Sequence, residues 1–334
     1  MYKRKRMACG LLCLSLLFAC GCGQMTPAET KIVLRYAESH EEDHPAAQAA
    51  QEFARLVEEE SGGRIQIRVY LDGALGTEAE ALAQVQLGGV DFTSVNVDAL
   101  KSAAPEIEVL QLPYLFENAE KMWDLLDSDT GQEYLDMLTQ DVIGLAYFDG
   151  GQRHLYARSP LSSPADVKGR RLFTGSEGFF TQLLTLLEAQ PMYGTEEDIK
   201  YSLAARSADG GESDLYTYYA KGIYKSAPYL LLTGHSRSLA VMIVSSYTMQ
   251  QLPPEDQALI TACARRAAYY EREVWAGQEE AIRRELKEKG VVFTKMTADV
   301  LEDFRLLLQP LYENMSQEEQ KAVTRIRQAL ETDG

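Results

Sequence analysis

The sequence predicts an α/β protein of two lobes joined by one long helix. From residue 31 to residue 96, short apolar strand patterns alternate with amphipathic helix patterns, which is typical of a sheet covered by helices. A second alternating series begins at Gly150 and Gly151, and the apolar segment LAVMIVS (239–245) then returns to the first sheet. A helical pattern without internal proline runs from residue 254 to residue 289, which is long enough to contact both lobes.

The first lobe is predicted from five segments in order. KIVLRYA (31–37) and RIQIRVY (64–70) are strands, and the amphipathic segment 45–61 between them is a helix. A helix at 78–88 and the strand DFTSVN at 91–96 repeat the pattern. Because each strand is followed by a helix, we expect a mainly parallel sheet.

The second lobe is predicted from a similar series of strands and helices. We expect strands at 152–157 and 170–174 and helices at 178–189, 195–205 and 213–224. A chain that leaves one sheet, builds another and comes back forms two lobes. The predicted boundaries assign 31–150 and 239–278 to lobe 1, and 151–238 and 279–334 to lobe 2. A ligand is expected in the cleft between the lobes.

One continuous apolar stripe marks the long helix. About 35 residues at about 1.5 Å each make a rod of roughly 50 Å, longer than one small domain. We expect this rod to brace both lobes, and two amphipathic helices at about 297–313 and 316–332 to pack on them. The stripe repeats at three- and four-residue spacing, at Ile260, Cys263, Ala267, Tyr270, Val274, Gly277 and Ala281.

The N-terminal 20 residues have the pattern of a secretory signal. Four basic residues precede an apolar run that is too short to span a bilayer. The end of the run, Leu17-Phe18-Ala19-Cys20, resembles a bacterial lipobox, in which the cysteine carries a lipid. Cys22 offers a second frame, and an ordinary cleaved signal stays open. We therefore expect a lipid-anchored protein outside the bacterial cytoplasm, with residues 21–30 as a tether.

Charge and cysteine content restrict the partners and the folding. The net charge is −17, and an acidic surface repels phosphate backbones, so a nucleic-acid partner is not expected. Cys263 is the one cysteine outside the signal region, so the mature body has no internal disulfide. No cofactor is predicted, since the sequence has neither a Walker loop nor a G-x-G-x-x-G motif.

The segment His40-Glu41-Glu42-Asp43-His44 formally fits the zinc-hydrolase pattern H-E-x-x-H. That chemistry needs both histidines on one face of a helix. Pro45 follows directly, and proline favours the first turn of a helix while it pushes the preceding residue toward extended geometry. The segment is therefore predicted to be a strand-to-helix loop at the rim of a cleft, and a zinc hydrolase stays as a remote alternative.

Six phrases occur in one order and resemble a known family. The sequence is similar to the substrate-binding subunits of tripartite ATP-independent periplasmic (TRAP) transporters, of the C4-dicarboxylate-binding type. The resemblance implies a periplasmic-binding-protein-like α/β fold, a solute enclosed between two lobes, no catalysis, and a small and a large membrane subunit as partners. The phrases are residues 61–96, QLPYLF (111–116), GGQRHLYA (150–157), SPADVKGRRL (163–172), ARSADGGES (205–213) and TGHS (233–236).

By position, the resemblance implies that Glu78, Asn96 and Arg153 line the ligand cleft, whereas it implies a structural role for His235. The sequence departs from the family pattern at two positions that we also expect at the cleft: Phe173 stands where the family has an arginine that clamps a carboxylate, and Ser213 replaces an asparagine. A third departure is Arg206, which replaces a glycine. A carboxylate shut into a cleft loses several kcal/mol of hydration unless a cation and further donors replace the water.

Two consequences of Phe173 stay open. In the first, Arg153 holds an anionic group with help from Arg171, which lies on the same strand face as Phe173, and Phe173 forms an apolar wall of the cleft. In the second, the ligand is not the family's usual acid. The alternative to a transport receptor is a ligand-sensing or accessory lipoprotein of the same fold.

Overall fold

The computed structural model describes residues 31–138, 141–175, 178–194 and 196–332. The predicted signal peptide and tether, with Cys20 and Cys22, lie outside these ranges. Within them, every helix is too short or too polar to cross a bilayer. The strands are β1 (Ile32–Ala37), β2 (Ile65–Tyr70), β3 (Phe92–Asn96), β4 (Val142–Ala157), β5 (Arg171–Thr174), β6 (Gln190–Tyr193), β7 (Gly210–Ser213), β8 (Tyr229–Ser245) and β9 (Val292–Lys295). The helices are α1 (Pro45–Glu60), α2 (Glu78–Gln86), α3 (Ala119–Leu126), α4 (Asp129–Asp136), α5 (Phe179–Leu186), α6 (Glu196–Ala204), α7 (Leu215–Ala220), α8 (Ser246–Gln251), α9 (Pro254–Glu288), α10 (Ala298–Leu308), α11 (Pro310–Glu313) and α12 (Gln317–Thr332).

The strands form one sheet in the order β2-β1-β3-β8-β4-β7-β5-β6, and β9 pairs with β8. Strand β1 is parallel to β2 and β3, and β5 is parallel to β6 and β7. The expectation of a mainly parallel sheet is wrong at the centre, because β8 runs antiparallel to β3 and β4, and β4 runs antiparallel to β7. The two long strands β4 and β8 therefore join a first half of the sheet (β1–β3) to a second half (β5–β7).

The two halves meet where β4 is irregular. The register between β4 and β8 shifts between Asp149 and Gln152 and again between Arg153 and Leu155, and Gly151 has a φ of 81°. Such bulges bend a strand and aim its side chains in new directions. The predicted strands 152–157 and 239–245 are each one end of a longer strand, since Gly150 and Gly151 form a bulge within β4 and not a turn before it.

Helix α9 confirms the predicted long helix. Its N-terminal part shares a core with α1, and its C-terminal part shares another with α7. The buried stripe differs in its middle from the predicted one: it passes through Glu271 and Trp275, whereas Tyr270 is 38% exposed. The Glu271 carboxylate accepts a hydrogen bond from the backbone N–H of Asp149 at 2.9 Å, which ties the rod to the bulge of β4.

The C-terminal helix α12 packs against α3 and α4 on the side of the first half. The Tyr134 hydroxyl donates to the carbonyl of Ala322 at 2.8 Å, and Phe304, from α10, is buried in the same core. That core also contains Leu155 and Leu172, so it extends along the sheet from one half to the other. The division of the chain into lobes at the predicted boundaries stays a prediction.

Candidate functional site

A cavity of about 420 Å³ lies between the two halves of the sheet. The carboxyl end of β3 and the first turn of α2 form one side, and β7 and the start of α7 form the other. Trp275 of α9 and the bulge of β4 close it between them. Polar side chains line it from both sides: Glu78, Ser94 and Asn96 from the first half, Asp149, Arg153 and Ser238 from the joining strands, and Glu212, Ser213, Asp214 and Thr217 from the second half.

Arg153 lies at the centre of the lining and is held by Glu212. Its Nε and Nη2 donate to the two carboxylate oxygens of Glu212 at 2.6 and 2.7 Å, and Nη1 donates to the Ser238 hydroxyl at 2.9 Å. The guanidinium also lies over the ring of Phe180, 4.3 Å from its centroid. These contacts occupy three of the five N–H groups and fix the orientation of the guanidinium.

Glu212 is fully enclosed and has two partners besides Arg153. The Thr174 hydroxyl donates to its Oε1 at 2.7 Å, and His235 Nε2 lies 3.6 Å from its Oε2. Burial alone would raise the pKa of Glu212, but Arg153 and His235 outweigh burial and lower that pKa to about 2. Burial lowers the pKa of His235. Glu212 is therefore an ionised partner that keeps Arg153 in place.

On the first side of the cavity, Glu78 binds Asn96. The backbone N–H and the side-chain amide of Asn96 donate to the two Glu78 oxygens at 3.2 and 2.8 Å. A capping box between Thr77 and Glu80 starts α2 here, which places Glu78 in the first turn of that helix. Burial raises the pKa of Glu78, and the neighbouring Asp98 raises it further.

On the opposite side, Asp214 caps α7. Its carboxylate accepts a hydrogen bond from the Thr217 backbone N–H at 2.8 Å, and burial raises its pKa. The Ser213 hydroxyl lines the cavity beside it and donates to the Asp214 carbonyl at 3.0 Å. Glu78 and Asp214 thus approach one cavity from the two halves of the sheet.

The charge of Asp149, at the bulge, is neutralised by an arginine of the neighbouring strand. Arg237 of β8 binds both of its carboxylate oxygens, at 2.8 Å from Nε and in a shorter contact from Nη2. Asp149 also accepts the backbone N–H of Gly151 at 2.7 Å. This pair stabilises the bend between the halves and leaves no free charge on Asp149.

Phe173 and Arg171 do not line the cavity, which corrects their predicted placement. Phe173 is 2% exposed and packs with Tyr156, Ile199 and Leu203 in the core beneath α6 and α7. Arg171 lies at the edge of β5, where its Nε and Nη2 each donate to an Asp209 oxygen at 3.0 Å. The core beneath α6 and α7 encloses Phe173, and the Arg171 side chain is 39% exposed outside the cavity, so neither side chain lines the cleft.

The segment His40 to His44 lies in a loop, as predicted. His44 caps α1 by accepting the Ala46 N–H at 3.1 Å, and its ring stacks on that of His40 with centroids 3.7 Å apart. Both histidines line the cavity. Within the described ranges, no three metal-ligating side chains are grouped as a metal site would need. The His44 ring contacts Tyr216 and Trp275, so it links the first half to α7 and α9.

The sequence-based interpretation placed Arg153, Asn96, Glu78 and Ser213 on the cleft, and the structure brings these four together around one cavity. Their roles in binding stay predictions. It missed Glu212, Asp214 and Tyr156. Strand pairing alone does not indicate the role of Glu212, since the β4–β7 ladder places it opposite Leu155 and only its side chain reaches Arg153. Asp214 precedes a helix, which suggests a cap and gives no indication of a cavity.

Comparison with known proteins places this fold among binding proteins. A family model described as bacterial extracellular solute-binding protein, family 7 (DctP), matches residues 36–319. A solute-binding protein of Chromohalobacter salexigens is 28% identical over 284 residues, which cover 84% of this chain and 83% of that protein. The C4-dicarboxylate-binding protein DctB of Bacillus subtilis is 25% identical over 288 residues, or 85% of this chain and 82% of that protein.

Two solved structures show the same architecture. A TRAP periplasmic solute-binding protein from Xanthobacter autotrophicus with bound β-D-galacturonate has a TM-score of 0.80 and 27% identity, covering 88% of this chain and 98% of that one. One from Chromohalobacter salexigens with bound D-glucuronate has a TM-score of 0.82 and 26% identity, covering 89% and 99%. The predicted α/β fold class is confirmed.

Proposed function

The chain belongs to family 7 of the bacterial extracellular solute-binding proteins, and from this premise we propose that it is the receptor of a TRAP transporter that closes on one small polar or anionic organic solute. The TRAP resemblance stated from the sequence is confirmed. The family is extracytoplasmic, and its members are solute-binding proteins. We propose that this chain likewise binds its solute without chemical change.

The observation that carries the proposal is the cavity lined from both halves of the sheet. A volume of about 420 Å³ suits a single small molecule, and its lining mixes hydroxyl, amide and charged groups with the aromatic ring of Trp275. Since the groups come from both sides, a solute that bonds to both would hold the halves together. This is the requirement for a receptor that reports occupancy by closing.

Similar proteins indicate the size and type of the solute. The similar solved proteins hold galacturonate and glucuronate, and the 2,3-diketo-L-gulonate-binding protein YiaO of Escherichia coli is 24% identical over 245 residues. We propose for this chain a small polar or anionic solute with the carbon skeleton and several hydroxyls of a hexose derivative, such as a sugar acid.

The partners and the anchor are proposed from the family. We propose a small and a large membrane subunit that receive the solute from the closed receptor, and a lipid on Cys20, or on Cys22, that keeps the receptor at the membrane. Both cysteines lie outside the residues that the structure describes. A sensing or accessory role of the same fold would need the same cavity but no membrane subunits.

A thermal-shift screen tests the proposal. Hexoses, hexuronates, aldonates, amino sugars, dicarboxylates and aromatic acids are each added to the purified protein. A solute at about a hundred times its dissociation constant stabilises the folded state by about 2.7 kcal/mol, which shifts Tm by several degrees. We expect a response confined to hydroxyl-rich compounds. No response from any class would contradict a receptor function.

Uptake then separates transport from sensing. Receptor, both membrane subunits and an ion gradient are combined in proteoliposomes with the solute found in the screen. Accumulation that requires the receptor supports transport, whereas binding without accumulation would favour the sensing role.

A further inference from the structure

A second cavity, of about 480 Å³, lies beside β4 and β8 and shares no lining residue with the cavity proposed for the solute. Strand β4 contributes Gln152 and His154 to this second cavity, whereas Arg153 between them lines the solute cavity. The other walls come from the segment between residues 110 and 122, from residues 232–237 of β8, and from α9 and α10. The proposed receptor function gives this second cavity no role.

A bulge in β8 forms one wall of the second cavity. At the second register shift between β4 and β8, residues 232–235 of β8 leave the ladder. The Tyr114 backbone N–H donates to the carbonyl of His235 at 3.2 Å, and the Ser236 hydroxyl donates to the carbonyl of Gln111 at 2.7 Å. These bonds hold the bulge against the segment that precedes α3, so the cavity is part of the folded architecture.

His154 brings an unpaired donor to this cavity. The residue is 2% exposed, and its Nδ1 accepts the backbone N–H of Gly234 at 3.0 Å, so the proton of the neutral ring is on Nε2. Burial lowers the pKa of His154 to about 3, with smaller contributions from neighbouring charges that include Arg283 and Arg237. Within the described ranges, Nε2 has no hydrogen-bond partner. A buried donor is nearly always satisfied, and an acceptor on a ligand would satisfy this one.

Three arginines line the second cavity with one acid, Glu117, in the described lining, although the net charge of the chain is −17. Two of them, Arg237 and Arg283, each bind a carboxylate outside the lining. Arg305 differs, since none of the described residues accepts a hydrogen bond from it and its ion-pair partner Glu302 lies 3.9 Å away. The guanidinium of Arg305 therefore retains its donors for an anion.

Tyr114 lies between Arg305 and His154. Its ring centroid is 5.7 Å from the guanidinium carbon of Arg305, and its hydroxyl donates to the carbonyl of Thr233 at 3.4 Å. Gly234, the next residue, is the one that binds His154. The cation and the unpaired donor are therefore at the two ends of one aromatic side chain, and a ligand that meets both needs a body between its polar groups.

The surface between these polar groups is largely aliphatic. Leucine and methionine side chains accept a flexible hydrocarbon chain, because the unbranched thioether adapts its shape. Water alone would leave this surface without apolar partners. The aliphatic lining consists of Leu110, Leu112, Leu115, Met122, Leu232, Met296 and Leu301.

We propose that the second cavity binds a small aliphatic acid, whose carboxylate meets Arg305 and whose other end carries a neutral oxygen that accepts from His154 Nε2. Hydroxy acids and oxo acids with an unbranched chain are the class that this arrangement fits. The chain covers the leucines and methionines between the two polar groups. This site goes beyond the proposed receptor function, since it is separate from the solute cavity.

Matched ligands test the two ends separately. Titration calorimetry measures 4-hydroxybutanoate, 6-hydroxyhexanoate and 8-hydroxyoctanoate, since the length of the best ligand reports the separation of the two groups. Each is compared with its amide, which lacks the charge, and with the simple alkanoate, which lacks the hydroxyl. For the best length, we expect the hydroxy acid to bind at least about tenfold more tightly than the amide and about fivefold more tightly than the alkanoate. Equal affinities within each pair, or no binding of any of them, overturn the proposal.

Two variants assign each preference to its residue. Arg305→Gln should abolish the preference for carboxylate over amide and keep that for the hydroxyl. His154→Asn keeps an acceptor for the Gly234 N–H but removes the Nε2 donor, so it should abolish only the preference for the hydroxyl. Arg266→Gln is the matched control, since that side chain is 53% exposed against 49% for Arg305 and lies outside the lining. Unchanged preferences in Arg305→Gln overturn the proposal even if His154→Asn does not fold.

A competition experiment separates this site from the solute cavity. Protein saturated with the solute found in the thermal-shift screen should still bind one molecule of the hydroxy acid. A dissociation constant for the hydroxy acid that rises in proportion to the solute concentration would place both ligands in one cavity and overturn the proposal. Failure of the receptor function looks different, because no sugar acid or other hexose derivative would then bind, whereas the titrations of the wild type and the variants with hydroxy acids need no such solute.

Discussion

At the scale of single residues, Arg153 and Glu212 are the pair on which the cavity depends. The Glu212 side chain is fully buried and that of Arg153 is 13% exposed; together with Thr174 and Ser238, the pair engages both Glu212 oxygens and three of the five N–H groups of Arg153. Breaking such a pair leaves one uncompensated charge in a medium of low polarity, which costs about 3–5 kcal/mol. The pair therefore fixes geometry in the cleft before any solute arrives.

The pH dependence of stability should report this pair. In the folded protein the pKa of Glu212 falls from its ordinary value of 4.5 to about 2. Because the folded pKa is the lower one, the stabilisation is complete above about pH 4.5 and is lost as the pH falls toward 2; the difference is worth roughly 3 kcal/mol. The free energy of unfolding, measured by urea denaturation, should therefore fall more steeply over this pH range in the wild type than in Glu212→Gln.

A comparison variant isolates the effect of burial. Glu133 is paired with Arg325 on the surface, with its side chain 55% exposed. The unfolding free energy of Glu133→Gln should depend on pH as that of the wild type does, because an exposed ion pair contributes little to stability. If Glu212→Gln also followed the wild-type profile, the buried pair would not be the source of the acid sensitivity.

At the scale of elements, the bulge in β4 and the helix α9 position the site together. Gly151, in the bulge, has a φ of 81°, and a Cβ on it would lie 2.6 Å from Cζ2 of Trp275 and 3.0 Å from Cβ of Asp214. The backbone of β4 thus approaches α9 and the start of α7 more closely than any side chain permits. This approach is what brings Arg153, Trp275 and Asp214 to one cavity.

Gly151→Ala should therefore destabilise the protein more than an alanine at another left-handed glycine. Gly169 is the control, since its φ is 74° but a Cβ there meets nothing within 4 Å. Both variants carry the backbone cost of about 1 kcal/mol, and Gly151→Ala adds a clash of about 1–3 kcal/mol. Urea denaturation measures the difference. An equal loss of unfolding free energy in the two variants would show that α9 leaves room for a Cβ at residue 151.

At the scale of the whole molecule, one sheet and one helix run through both halves, so movement between the halves is concentrated at few points. The contacts that cross the cavity are few and polar or aromatic. Trp275 lies between His44 of the first half and Tyr216 of α7, with ring centroids 5.6 and 6.0 Å away. A change in the angle between the halves must alter the surroundings of this indole.

Intrinsic fluorescence should follow closure. The chain contains two tryptophans, and Trp123 stacks with Arg272, 3.8 Å from its guanidinium, away from the cavity. A bound solute should shift the emission of Trp275, which is 4% exposed and lines the cavity. On titration with the solute, Trp123→Phe should show the full change in fluorescence emission, and Trp275→Phe should show none. A change that disappears with Trp123 instead would place the movement elsewhere.

The main elements and four residues of the cleft could be predicted from the sequence. Hydrophobic periodicity and the proline after His44 predicted β1, α1 and the full length of α9, because these patterns depend on local geometry alone. The ordered family phrases assigned Glu78, Asn96, Arg153 and Ser213 to the cleft, and the cavity contains all four.

The groups that lie opposite each of these residues depend on how distant segments pack, and the sequence did not predict them. Strand alternation correctly put Arg171 and Phe173 on one face, but it cannot tell which face α6 and α7 cover, so Phe173 is in the core. Likewise, Glu212 and Asp214 became groups of the cavity only when β7 paired with β4 and the bulge at Gly151 turned β4 toward them. Packing between segments that are distant in sequence determines which charged groups meet in an enclosed space. Local sequence patterns do not contain this information.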